Sequence, residues 1–204
     1  GAGEPTIAAG AILSKDGQHY TSILNQRTLN LDGTLRFSFA NNEKGVEMQN
    51  GATIRVRSGG LVDFTNNAPI TATGTGGTIE VQAGGVYRKS AGTGTNALSN
   101  LVTFNNHGTV EALSGTLEVS GGTSTGTFTA AAGKAITFVG STHTLNAGAS
   151  INGTGSTRIV STLTLNAPAT LNNLGINGTL NGPGTSTLTG TGCWWENWSS
   201  TISG

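Results

Sequence analysis

The feature that most limits what this chain can become is a short phrase that keeps returning. Gly-Thr opens a run of alternating apolar and variable residues at Gly33–Phe37, Gly77–Val81, Gly108–Ala112, Gly115–Val119 and Gly126–Ala130. Each copy has the period-2 pattern of a strand, and glycine supplies the turn that starts it. The strands are too short for an ordinary open sheet, and turn residues interrupt them everywhere. A β-sandwich spaces its turns more widely and fills its core with larger inward residues. Near-identical short units in series instead describe a solenoid, in which every coil pairs with the coil before and after it. The expectation is therefore a single-domain, all-β, right-handed parallel β-helix of about 20–25 residues per coil, with three short strands in each. A trimeric β-fibre, sharing one core among three chains, is the architectural rival.

Composition agrees and removes other classes. Gly and Thr each contribute 33 of the 204 residues, and with Asn and Ser they make up half the chain. So little helix-forming sequence argues against a bundle. Ten basic residues balanced by ten acidic ones give zero net charge, without the clustered positive field that nucleic-acid binding requires. No apolar run approaches the length of a membrane helix. The expected partners therefore exclude nucleic acid and membrane insertion. One cysteine, Cys193, cannot form an internal disulfide, so rigidity must come from backbone pairing and packing.

The chain divides by texture. Residues 1–35, with the apolar stretches Ile7–Leu13 and Tyr20–Leu24, suit an N-terminal cap and first coil; 36–192 suit the coils; 193–204 suit a Trp-rich cap or the start of a further coil. Charge is confined mainly to the first part, since only Lys134, Arg158 and Glu196 lie beyond residue 118. A second motif, an aromatic followed by paired asparagines, occurs at Phe39–Asn42, Phe64–Asn67 and Phe104–Asn106. Asparagine tolerates left-handed backbone and stacks its amides between layers. Asn41, Asn42, Asn66, Asn67, Asn105 and Asn106 are thus expected to form a corner ladder.

Residues 108–192 resemble the Gly/Thr-rich passenger repeats of bacterial surface and secreted proteins, the autotransporter and filamentous-haemagglutinin-like adhesins. The resemblance rests on phrases such as Gly115-Thr-Leu-Glu-Val-Ser-Gly-Gly122 and Leu180-Asn-Gly-Pro-Gly-Thr-Ser-Thr-Leu-Thr-Gly190. It implies an extracellular or cell-surface location and a structural or adhesive role, and it carries no catalytic motif. The reading that follows is a non-enzymatic solenoid segment without cofactor. Its partners are surface glycans or, in the runner-up, other copies joined end to end into a filament.

Trp194, Trp195 and Trp198 are the only aromatic cluster, able to stack on sugar or anchor a partner, with capping of the solenoid end the stronger reading. A polysaccharide-cleaving β-helix stands third. Its carboxylates would come from Glu43, Glu47, Asp63, Glu80, Glu111 and Glu118, with Glu80 and Glu111 expected on one face from their shared place in the Gly-Thr phrase. His19, His107 and His143 have no second ligand at metal spacing, and His143 within Thr-His-Thr reads as solvent-facing. Thr-x-Thr triplets at 71–73, 127–129, 142–144, 162–164 and 185–187 raise an ice-binding alternative. Their irregular spacing, and the bulk of Phe128, His143 and Leu163 between the threonines, favour ordinary outward strand residues.

Overall fold

The computed structural model describes residues 3–16, 20–38, 45–190, 194–195 and 200–204. They form a β-solenoid of about 8 turns with about 22 residues per coil. Every strand pair is parallel, and strands adjacent in a sheet are three apart in chain order, so each coil lays one strand on each of three faces. One face is a ten-stranded sheet running from Thr6–Ile7 to Thr201–Ile202, and the second is a nine-stranded sheet running from Ile12–Lys15 to Ser186–Thr189. The third face is built from a three-stranded and a six-stranded sheet, the first ending at Ile70–Thr73 and the second beginning at Thr95–Asn96. The single bridge Ile70–Leu98 spans the step between them.

The alternating phrases do what a period-2 pattern demands. In Gly77–Val81, Ile79 and Val81 are buried while Thr78 and Glu80 face outward. Stacked in register, the inward residues form columns along the axis, such as Leu35, Val62, Tyr87, Val110, Phe128 and Ile151 beneath the nine-stranded face. One polypeptide therefore fills its own core, which sets aside the three-chain fibre. Phe37 stacks on Phe64 at 4.6 Å between ring centres, and Tyr87 then meets Phe64 and Phe104 edge-on. Edge-to-face and offset pairs of this kind add stabilisation beyond area burial alone.

Coil length is not constant. Arg55 and Glu80 occupy equivalent places 25 residues apart, Asn105 and Thr123 are 18 apart, and Thr164 and Asn181 are 17 apart. The shortening occurs at the corners, leaving register on the faces intact. Gly122 marks the change. Its φ of 153° is one that side chains rarely adopt, and a Cβ there would collide with the Phe104 carbonyl. Gly122 pairs with the inward His143, so its missing side chain also leaves room for the rings above and below.

Candidate functional site

The outer surfaces are where this fold can meet a partner, because the interior is closed by packing. They divide along the axis. On the nine-stranded face the outward column reads Ser14, Arg36, Asp63, Arg88 and Glu111 from coil to coil. The Arg88 guanidinium donates to Glu111 at 2.6 Å and lies in register with Asp63, whose carboxylate also accepts from Ser90. On the ten-stranded face Arg55 donates to Glu80 at 2.8 Å and reaches Glu4. The hydrogen bond from Arg55 holds the Glu80 carboxyl below its usual range. Opposite charges directly across a ladder are favourable where like charges would repel.

This arrangement separates the carboxylates considered for glycan cleavage. Glu80 lies on the ten-stranded face and Glu111 on the nine-stranded face, each bound to its own arginine. The shared Gly-Thr phrase had suggested one face, but the phrase opens strands on two faces. Glu47, on the third face, accepts from Gln49 and Thr73. Glu118 accepts from the Leu98 amide, and its burial raises its carboxyl pKa. Glu43 lies outside the described residues. Among the described residues, no group of three or more His, Cys, Asp or Glu side chains is placed to hold a metal ion.

Of the asparagines singled out for a ladder, the described pairs Asn66–Asn67 and Asn105–Asn106 are not brought together. Asn66 and Asn67 lie at the corner after Leu61–Phe64 of the nine-stranded sheet, whereas Asn105 and Asn106 end the strand Val102–Asn106 of the ten-stranded sheet. The Asn66 carboxamide oxygen accepts from the Ala68 amide, and that of Asn67 accepts from the Gly94 amide and from Lys89. Asn105 accepts from the Thr123 amide and hydroxyl, and buried Asn106 accepts from the Gly108 amide. Asn41 and Asn42 lie outside the described residues. Asparagine amides do bond from coil to coil at Asn25–Asn50 and Asn146–Asn166, both at 3.0 Å. Those asparagines follow the alternating strand residues without an aromatic, which is why the aromatic-Asn-Asn motif missed them.

Trp194 and Trp195 form the last strand of the third face, in register with Gly175 and Ile176. The Trp194 indole lies over Gly175, where any side chain would occupy its place. Trp195 continues the inward column of Ile159 and Ile176 yet is 57% exposed, because no described coil covers it. Leu188 and Ile202 extend the inward columns of the other two faces and are about as exposed. Trp198 lies outside the described residues. At the opposite end a cavity of about 290 Å³ opens among Leu13, Ile23, Leu24, Leu35 and Ile54.

Two buried polar side chains were not foreseen. His143 is fully buried, because Thr142 and Thr144 take the outward positions around it. Its Nδ1 lies 2.9 Å from the Ser120 carbonyl, which can only accept, so Nδ1 carries the proton and Nε2 accepts from the Ser124 hydroxyl at 2.7 Å. Burial pushes its pKa down to about 4, so the ring is neutral at physiological pH. Lys89 sits in the inward column between Phe64 and Ala112. Its Nζ donates to the Asn66 carbonyl and to the side-chain oxygens of Asn67 and Asn96 at 2.6–2.9 Å, and burial lowers its pKa to about 8. Both groups hold coils together from inside, with no route to a substrate.

The class these features define is a parallel β-solenoid with Thr/Gly-rich turns. No protein-family model matches the chain, and neither a curated protein nor a solved structure does.

Proposed function

We propose that the chain is a rigid structural segment of a bacterial extracellular or cell-surface protein, holding an adhesive surface at a fixed distance. The observation that carries this reading is the ladder of parallel pairs that continues on the ten-stranded face from Thr6–Ile7 to Thr201–Ile202. Coils stacked at about 4.8 Å make a straight strut without needing disulfides. The phrase resemblance of residues 108–192 to adhesin passenger repeats supports the location. Arg36, Arg55, Arg57 and Arg88 each pair with a carboxylate on a neighbouring coil, which suits a spacer better than a catalytic groove. The test is a protease and glycan-array experiment on the purified chain. A strut resists trypsin and proteinase K at ambient temperature and gives at most weak glycan signals that mutation of Trp194 and Trp195 removes. Rapid digestion, or polysaccharide cleavage abolished by Glu80→Gln or Glu111→Gln, overturns the reading.

A second reading is favoured by the apolar ends. Leu188, Trp195 and Ile202 at one end and the Leu13–Leu35 cavity at the other suit head-to-tail stacking of copies into a filament. Negative-stain electron microscopy across a concentration series tests it. Fibres that disappear in Trp195→Asp support stacking, and isolated short rods at every concentration refute it.

A further inference from the structure

Threonines line up from coil to coil on the ten-stranded face; of the five triplets, 142–144 and 162–164 fall there, whereas 127–129 and 185–187 fall on the nine-stranded face and 71–73 on the third. Thr28, Thr53, Thr78 and Thr103 are successive partners in one outward column, and Thr162, Thr179 and Thr201 are successive partners further along the same face. The neighbouring column carries Thr123, Thr144, Thr164 and Asn181. The unequal sequence separations of threonines within one column reflect unequal corners, which do not disturb register. His143 and Leu163, whose bulk argued against an ordered row, point inward and are buried, so only hydroxyls, methyls and one amide face out between them.

The resulting array has two fixed steps. Outward threonines two apart on a strand are about 6.6 Å apart, and successive coils are about 4.8 Å apart. The oxygen lattice of hexagonal ice approaches both repeats. Two hydroxyls of the array are held in place, since Thr164 donates to Asn181 at 2.7 Å and Thr123 donates to Asn105 on the coil before at 3.1 Å. From Thr123 onward the two columns hold no charged residue, whereas Arg55 and Glu80 interrupt the earlier coils. An uncharged surface of evenly spaced hydroxyls and methyls complements an uncharged lattice of water. A charged side chain would impose its own hydration shell instead. The face also has no outward aromatic ring in these columns, the group on which sugar recognition by stacking depends.

We infer that the Thr123–Thr201 part of the ten-stranded face binds the surface of ice. The experiment grows ice slowly from a dilute solution of the purified chain, measures the protein partitioned into the ice, and records crystal shape and freezing hysteresis. Thr144→Lys and Thr164→Lys place charge within the array. Thr129→Lys and Thr170→Lys place the same charge on the outward nine-stranded face as controls. Circular dichroism establishes that all four variants keep the β fold. The expected result is enrichment of the wild type and both controls in ice, faceted crystals, and at least a tenfold loss of hysteresis in the two face variants. Exclusion of the wild type from ice overturns the inference, as does equal loss in all four variants. Retention by crystalline cellulose or chitin without partition into ice also overturns it, and assigns the face to a glycan. None of these outcomes bears on protease resistance, so the strut reading stands or falls separately.

Discussion

Replacing His143 with leucine is expected to lower stability at neutral pH and to remove one particular slope from its pH dependence. The Ser124 hydroxyl and the Ser120 carbonyl both spend their bonds on the imidazole. Leucine fits the site sterically, because Leu163 occupies the next place in the same column. It leaves both polar groups buried without a partner, at about 1–3 kcal/mol each. The pH dependence follows from the folded pKa of about 4 against an ordinary value of 6.5. Between those values the unfolded chain binds a proton that the native one refuses. The contribution of the neutral histidine is therefore fully present above 6.5 and is lost as pH falls towards 4. At about 1.4 kcal/mol per pKa unit, the loss is about 3 kcal/mol. Urea midpoints followed by far-ultraviolet circular dichroism, measured for wild type and His143→Leu across this window, make the comparison. The carboxylates titrate in both proteins, so the difference isolates the histidine. The two curves should lie well apart at neutral pH and converge in acid. Parallel curves would refute the reasoning and place the imidazole in contact with solvent.

Lys89→Met should cost about 3 kcal/mol by stranding three oxygen acceptors in the core. Wild-type stability should also rise between pH 8 and 10.5, where the unfolded amine is protonated and the buried one is not. Denaturant midpoints that rise equally in the variant would count against a buried ammonium. Gly122→Ala should lower the thermal midpoint by the equivalent of about 2 kcal/mol or more, since both the backbone angle and the Phe104 carbonyl oppose a side chain. An unchanged midpoint would mean that the corner is not held as described. Glu80→Gln should change stability by less than about 1 kcal/mol, because the Arg55 pair is part-exposed, and the effect should shrink in high salt. A larger, salt-independent loss in melting temperature would assign the pair a deeper structural role.

The solenoid was legible because a strand pattern that stops after four or five residues leaves few alternatives, and the Gly-Thr phrase repeated the answer. What did not read out was phase. Register depends on corner lengths, and corners here vary enough that equivalent residues stand 25 apart early and 17 apart late. Glu80 and Glu111 looked alike as words and fell on different faces; Phe64-x-Asn-Asn and Phe104-Asn-Asn did the same. The partner of Phe64 proved to be Phe37, which lacks an asparagine pair behind it. His143 was misjudged for another reason. A polar residue between two threonines looks solvent-facing by hydropathy, but in a period-2 strand it must face opposite them, and serine groups on neighbouring segments supply its bonds. The threonine triplets divide among three faces, and the rows that align on the ten-stranded face are built mostly of threonines outside those triplets.

Nearest-neighbour pairing also makes length a separable property of this molecule. Thr144 and Thr164 occupy the same station on successive coils, so excising one span between such stations would let the flanking coils rejoin with the columns in step. The exception is the stretch where Lys89 and Asn96 fasten the change in the third face from one sheet to the other. A gene encoding such a protein can grow or shrink by whole coils on either side of that splice, altering reach without redesigning any contact.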